Sequence, residues 1–532
     1  MRNLKVTIKD LFTSAAASAV SGVLLILIFP EYDISWLAWG ALVPLLMVLA
    51  RQKPLAGFVT AYISGMVFFL GVFSWILNVS GYSLLHHFIL DLYLSLYFGI
   101  FGWLFALIAN RKGTAMALLS APAIWCLLEY ARCNLSFLAL PMSIIAHSQY
   151  TFAPILQLAS LTGVYGISFL VVAVNAGIAA VILRWAPLRT NVPKTSVSII
   201  SNRHTVIVSG LALALFVIVF FYGRGVLSTP LQGDRIDVSI VQANIAQNQK
   251  WNPRFRKAIL QTYADLTHAA ASSNPALIIW PEAATPGSIL GNRRLYKSVR
   301  QIATAAGSYL LLGSAQQRKN RPPGRKIWQY YNSAFLFPPE TGSTYQRYDK
   351  IRLMPFGEYL PLSGILPWSL VNIKERGAFH RGDSFTIFET ADFRLGTTIC
   401  WENLFPDLTR RFVLEGAQFI VNITNIAHFG KSSVPYQVAS MNVFRAVENR
   451  VFVVRCTNTG VSCFIDPYGR IISRVMDGKG QDVFVRGVLA ESVQLIHERT
   501  LYTRYGDWFV GLCAIIILIV FMASANRRKV GR

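Results

Sequence analysis

Along residues 11–222 apolar positions run in long stretches, and a further stretch covers 508–524. Between them, 233–504 alternates short β-branched runs with amphipathic segments of helical period. An α-helix needs roughly 20 apolar residues to cross a bilayer. Runs of that order fall at 11–30, 35–50, 55–78, 86–109, 114–131, 154–183 and 205–222, with an eighth at 508–524. The second is short, and 136–152 reads as a re-entrant or interfacial segment. The pattern predicts a polytopic helical bundle of about eight spans.

Basic residues orient these spans, because Lys and Arg concentrate in cytoplasmic loops. With a cytoplasmic N-terminus, the inside segments carry Arg2, Lys5, Lys9, Arg51, Lys53, Arg111 and Lys112, then Arg184, Arg189, Lys194 and Arg203. The tail adds Arg527, Arg528, Lys529 and Arg532, whereas the outside loops at 31–34 and 78–87 hold no Lys or Arg and the third holds Arg132 alone. Seven spans then put 224–505 outside, and both termini are cytoplasmic. The first span reads as a retained anchor, because its small residues precede the apolar run instead of following it as a cleavage site would.

In the outer part, IDVSIVQ (236–242), ALIIW (276–280), SYLLLGSA (308–315), NSAFLF, FTIF, RLGTTIC and FIVNIT read as strands. Helical periodicity marks 253–273, 292–306 and about 434–449, and VFVVRCT with VSCFID reads as a hairpin. This is an α/β pattern with mixed sheets. Three domains are predicted: 1–223 in the membrane, 224–505 outside it, and 506–532 as a last span with a basic tail.

Only 14% of the 532 residues are charged, against about 25% in soluble domains. The formal charge is +24, and 224–505 holds 34 Lys and Arg against 20 Asp and Glu. Such a face suits anionic lipid headgroups, or it is merely solvated. The run RKNRPPGRK at 318–326 reads as a basic loop at the bilayer surface or free in solvent. An exported domain with no recognisable nucleic-acid motif excludes nucleic acid as a partner. Six cysteines are too few for a disulfide framework, although Cys456 and Cys463 flank the hairpin and could face each other across it. No His or Cys spacing suits a metal, and no GxSxG, GxGxxG or Walker loop is present. Neither metal nor cofactor is expected.

Chemistry enters with Glu282, Lys350 and Cys400. Glu282 and Cys400, like Asn425, stand at the carboxyl ends of predicted strands, where reactive groups of α/β folds collect. A thiol, a carboxylate and an ammonium brought together can form a thioester: the acid takes the thiol proton, sulfur attacks a carbonyl, and the cation holds the oxyanion. A strand-to-helix elbow at Cys400 would lower its pKa and make the Trp401 N–H an oxyanion donor. Glu282, at the rim of an apolar core, has the setting of a general base. Glu358 could pair with Lys350 or brace the thiol region. Each residue also has a plain reading: an inert buried cysteine, a solvated loop glutamate, a surface lysine.

The ordered set WPE around Glu282, YDKIRLMPFGEYLP around Lys350 and CWEN from Cys400 resembles the Glu–Lys–Cys triad of the nitrilase superfamily. With seven spans before that domain and one after, the whole chain is similar to the apolipoprotein N-acyltransferase family. The resemblance implies an α/β nitrilase-like sandwich, with mixed sheets covered by helices, fused to the transmembrane bundle in a bacterial inner membrane, with the catalytic domain periplasmic. It implies that Cys400 takes an acyl chain from a phospholipid donor as a thioester. The α-amine of the diacylglyceryl-cysteine of an apolipoprotein acceptor then attacks it. Glu282 would be base and acid, Lys350 the oxyanion holder, and Glu358 the supporting glutamate. Trp401 and Glu402 would occupy the aromatic–Glu positions after the nucleophile, Trp251 a mobile-loop position and Asn332 a pocket position. Trp401 stands where the family often has Tyr. In NITNIAHFG, Ile426 and His428 replace an acid and a tryptophan, so the correspondence there stops at Asn425 and Phe429-Gly430; His428 reads as a pocket residue or a structural one. A monomer is expected. The rival readings are a membrane-tethered amidase or nitrile hydrolase acting on small substrates, and a non-enzymatic membrane scaffold.

Overall fold

A computed structural model describes residues 8–185, 200–320, 327–365, 368 and 379–529. Arg2, Lys5, Arg189, Lys194, Arg532 and positions 321–326 of the basic loop lie outside the described residues. The chain divides into two compact units. One comprises residues up to Leu77, Tyr82–Ser228 and those from Tyr505 onward; the other comprises Asn78–Gly81 and Thr229–Arg504.

In the first unit α1 (Ile8–Leu27), α2 (Val43–Leu49), α3 (Pro54–Val72), α4 (Leu84–Lys112), α5 (Thr114–Asn134), α6 (Val164–Trp185) and α7 (Asn202–Leu227) are joined by a last helix, Trp508–Lys529. Among the described residues five helices, α3 to α7, are long and apolar enough to cross a membrane. Two predicted spans differ in form. The 35–50 run is a 3₁₀ turn at Ser35–Trp39 followed by the seven-residue α2, which has Pro44 in its first turn. The 154–183 run starts with the single turns Ala153–Leu156 and Ala159–Thr162, and only α6 is long. Irregular backbone in apolar surroundings survives only where its polar groups find partners, each unsatisfied one costing several kcal/mol. Asn175 of α6 supplies them at the first break, accepting from Leu42 N (2.9 Å) and donating to Ala38 O (2.8 Å). Glu129 and Arg132 of α5 do the same for the irregular 136–152 segment. Glu129 accepts from Ile145 N (2.8 Å), and Arg132 donates to Leu140 O (3.0 Å) and Met142 O (2.8 Å).

The second unit holds two six-stranded sheets. In chain order the strands are β1 (Arg235–Gln242), β2 (Leu277–Ile279), β3 (Tyr309–Asn320), β4 (Ile327–Phe337), β5 (Gln346–Asp349), β6 (Ile387–Glu389), β7 (Arg394–Ile399), β8 (Phe419–Thr424), β9 (Phe452–Thr457), β10 (Cys463–Ile465), β11 (Ile471–Arg474) and β12 (Gly487–Gln494). The first sheet runs β12-β1-β2-β3-β4-β5 and the second β11-β10-β9-β8-β7-β6. Each has a parallel centre, β1-β2-β3 and β7-β8-β9, with antiparallel strands at its edges. Leu277, Ile278 and Ile279 are all buried, the unbroken apolar run of a strand covered on both faces. One cover is the helix layer of α8 (Arg256–Ala271) and α9 (Arg293–Ala306): Ile259, Tyr263, Leu295 and Val299 pack with Trp280, Leu310 and Phe335. The other is the second sheet, tied to the first where Thr457 Oγ1 donates to Gln242 Oε1 (3.1 Å). Between β7 and β8 lies α10 (Pro406–Leu414), and α11 (Val434–Asn449) precedes β9.

The Cys456–Cys463 pairing that the hairpin left open does not form, and both are free, buried thiols. Cys463 stands opposite Arg455, and successive residues of a strand point to opposite faces, so Cys456 is turned away.

Candidate active site

Four neighbouring strand ends build the site. Glu282 follows β2 across Trp280 and Pro281, Lys350 directly follows β5, Cys400 follows β7 and Asn425 follows β8. Residues up to 143 positions apart in sequence thus come to one rim, three of them after the parallel strands β2, β7 and β8 and Lys350 after the edge strand β5.

Glu282 is 8% exposed, and both carboxylate oxygens are occupied. Oε1 accepts from Asn332 Nδ2 (2.7 Å) and Oε2 from the main-chain N–H of Asn425 (2.7 Å). Asn332, on β4, also donates to Glu358 Oε1 (3.1 Å), so one amide bridges two carboxylates. Lys350 is 1% exposed and pairs with Glu358 at 2.8 Å. Burial alone would depress the Lys350 ammonium, but the negative charges of Glu358, Cys400 and Glu282 outweigh it, and its pKa lies well above the usual lysine value. Lys350 therefore stays charged.

Cys400 has φ +58°, left-handed backbone that a non-glycine residue seldom adopts and that marks strained functional turns. The other five cysteines are buried, whereas this one is partly open. The elbow is present, yet the low thiol pKa expected of it is not. Burial pushes the thiol up to about 12; Glu282 adds to this, and Lys350 opposes it. Desolvation and a neighbouring carboxylate outweigh the elbow's dipoles and the single cation. The sulfur rests as a neutral thiol and needs a base.

Glu402 explains how Lys350 and Cys400 are held together. It is fully buried and accepts from Ile399 N (2.8 Å), Ile351 N (2.8 Å), Arg352 N (2.9 Å) and Tyr348 OH (3.0 Å). One carboxylate thus ties the turn after β5 to the turn after β7. Its burial raises it to about 7. Trp401 serves the same joint, its indole N–H donating to Arg352 O (3.0 Å) and its ring edge-on to Phe405. Asn425 adds its side-chain oxygen as acceptor for Asn458 Nδ2 (3.1 Å). Trp251 is 51% exposed on the loop before α8, apart from this hydrogen-bonded set. His428 packs on Phe429 with centroids 4.1 Å apart, and burial lowers it to about 4, so it is a neutral ring at pH 7.

Several participants escaped the sequence reading. Lys250, buried at 3% exposure, donates to Glu282 O (3.1 Å). Asn422 of β8 donates to Cys400 O (3.2 Å) and to Thr398 O (3.2 Å), pinning the elbow. Gly313 of β3 has Glu282 Cα 2.6 Å from where a Cβ would stand. A lysine beside an exposed tryptophan and an asparagine within a β-branched run carry no local signal of such a place. Among the described residues no cluster of three His, Cys, Asp or Glu could hold a metal ion. What remains is a neutral thiol with a carboxylate and an ammonium around it, an arrangement suited to acyl transfer through a thioester.

Residues 237–497 match the carbon-nitrogen hydrolase family, and residues 21–177 match the apolipoprotein N-acyltransferase N-terminal domain. The chain is 35% identical over 521 residues to the apolipoprotein N-acyltransferase of Geobacter metallireducens, covering 96% of this chain and 95% of that one. It is 28% identical to the one of Chlorobaculum tepidum, with 96% of each chain covered. The same identity holds for the one of Pasteurella multocida, covering 99% of this chain and 98% of the relative. Among solved structures, an amidase from Nesterenkonia sp. aligns at 19% identity with a TM-score of 0.38, covering 53% of this chain and 97% of the amidase.

Proposed function

The chain belongs to the apolipoprotein N-acyltransferase family, and on that premise we propose that it moves an acyl chain from a membrane phospholipid to the α-amine of a lipoprotein's diacylglyceryl-cysteine. Glu282 removes the Cys400 proton as sulfur attacks the ester carbonyl. Lys350 and a backbone N–H of the elbow hold the tetrahedral oxyanion. Collapse expels the lysophospholipid alkoxide, which takes the proton from Glu282 and leaves a thioester on Cys400. The neutral α-amine then attacks; Glu282 takes its proton, the oxyanion collapses, and the departing thiolate is reprotonated as the amide is released. Glu358 keeps Lys350 charged and placed, Asn332 and Asn425 orient Glu282, and Trp401 and Glu402 hold the elbow. Trp251 contacts the acyl chain. Donor and acceptor use the same nucleophile in turn, so the kinetics are ping-pong.

The observation that carries this reading is geometric: Asn332 and the Asn425 N–H hold Glu282 at the same rim where Glu402 ties the turn carrying Lys350 to the turn carrying Cys400. The amidase reading is not favoured, because the relatives that match along nearly the whole chain are acyltransferases. We further place eight crossings, α1, the 35–49 and 153–185 segments, α3, α4, α5, α7 and 508–529, with 224–505 in the periplasm, both termini in the cytoplasm and the protein a monomer.

Incubation with phospholipid labelled in the acyl chain tests the assignment. Wild type and Cys456→Ser take up hydroxylamine-sensitive label, and Cys400→Ser does not. Equal labelling of the two serine variants refutes it. A reporter fused at residue 320 should read the outer side.

A further inference from the structure

Three groups set the charge of the centre described so far. Lys350 is spoken for by Glu358, at 2.8 Å. Glu282 accepts only from the uncharged Asn332 amide and Asn425 N–H, and among the described residues no cation pairs with it. Glu282, Glu358 and Lys350 together leave one uncompensated negative charge in a buried site. Two further buried cations, Arg455 and Lys250, act on Glu282, and Lys250 is the one hydrogen-bonded to its main chain. It sits in the single helical turn Gln247–Lys250 and is 3% exposed, and among the described residues its ammonium makes one hydrogen bond, to the main-chain oxygen of Glu282. An ammonium has three donors, and burying it without a carboxylate contact is unfavourable unless a nearby charge compensates.

We propose that Lys250 is a positioning residue for the base: its ammonium pins the Glu282 main chain and supplies the counter-charge that favours the nascent Cys400 thiolate. This rests on the acyl-transfer reading of the site. The groups facing the pair are known. Glu282 and Cys400 act on Lys250, Glu358, Glu402 and Cys400 act on Lys350, Lys250 and Lys350 act on the neutral His428, and the buried Arg455 feels both Cys400 and Glu282. Burial lowers Lys250 to about 8, so its charge is present at pH 7, fades through pH 8 and is lost above pH 9.

The test uses full-length protein in detergent, with two readouts. One is iodoacetamide alkylation of Cys400, followed by peptide mass spectrometry; the other is acylation by labelled phospholipid. A unit charge at roughly 6 Å, in an effective dielectric of about 20, is worth up to about two pH units on a neighbouring acid. Lys250→Met should therefore alkylate about 10- to 100-fold more slowly than wild type at pH 7. The two rates should converge above pH 9, where wild type has lost the same charge, and Lys250→Arg should restore the pH 7 rate. If Lys250→Met does not fold, Lys250→Gln takes its place. A pH-independent deficit, a wild-type rate in the neutral variant, or no rescue by arginine overturns the proposal. Should wild-type Cys400 take no acyl label, the acyl-transfer reading fails by itself, while the alkylation series still decides the role of Lys250.

Discussion

Replacing Gly313 by alanine should disable the centre without touching a charged group. A Cβ at Gly313 would stand 2.6 Å from Glu282 Cα, 2.8 Å from Ala283 N and 2.8 Å from Pro281 O. Ordinary contact begins at 3.4 Å, so the closest pair must separate by about 0.8 Å. All three atoms are backbone and cannot rotate away. The segment is also held on β3, with Ala284 N donating to Gly313 O (2.8 Å) and Gly313 N to Pro281 O (3.2 Å). Relief therefore moves Glu282 off Asn332 and Asn425, whose 2.7 Å hydrogen bonds aim it. Overpacking of this kind costs about 1–3 kcal/mol, and misplacing a catalytic group by about 1 Å costs on the order of 10²-fold in rate. Single-turnover acylation of Cys400 from labelled phospholipid should slow by that factor in Gly313→Ala, alongside a lower Tm. Gly478→Ala, whose added Cβ meets nothing within 4 Å, is the control. Acylation by Gly313→Ala within threefold of wild type would show that Glu282 is not held by this contact, or is not the base.

Glu282→Gln should split two properties that a general loss of structure would lower together. The Glu282 charge helps raise the thiol pKa, so iodoacetamide alkylation of Cys400 speeds up, while acyl transfer falls about 10²- to 10⁴-fold with the base gone; a parallel fall in both sinks the reading. In wild type the thiol at about 12 makes alkylation climb about tenfold per pH unit from pH 5.5 to 7.5, and a plateau within that range would contradict the neutral thiol. Glu358→Gln leaves the buried Lys350 ammonium without its 2.8 Å partner; a loss of about 3–5 kcal/mol in denaturant unfolding is expected, and an unchanged midpoint counts against the pair. Tyr348→Phe removes one donor from the buried Glu402 and should cost about 1–2 kcal/mol, with acyl transfer only modestly slowed because three backbone donors remain.

Much of this site was readable because each residue sits where a strong local pattern stops. ALIIW, RLGTTI and FIVNIT are apolar and β-branched enough to announce strands, and Glu282, Cys400 and Asn425 stand at their ends. The edge strands gave less away: β5, β11 and β12 carry mixed, half-exposed residues, and pairing with β4, β10 and β1 decides their conformation. Within the membrane unit, apolar composition could not distinguish a continuous span from a broken one. That difference lies in Asn175, which serves the gap before α2 from 133 positions away.

From the order of residues alone came the division into an apolar part and one of ordinary composition, the α/β alternation, and the three chemical groups in their order, since these depend on periodicity and composition that each segment carries by itself. Folding decided the ionisation of Cys400, the clamp that Glu402 makes between two turns, and the presence of Lys250 beside Glu282. Those properties arise from desolvation and from charges brought close across two sheets. Burial and through-space distance are not written in any local stretch of chain.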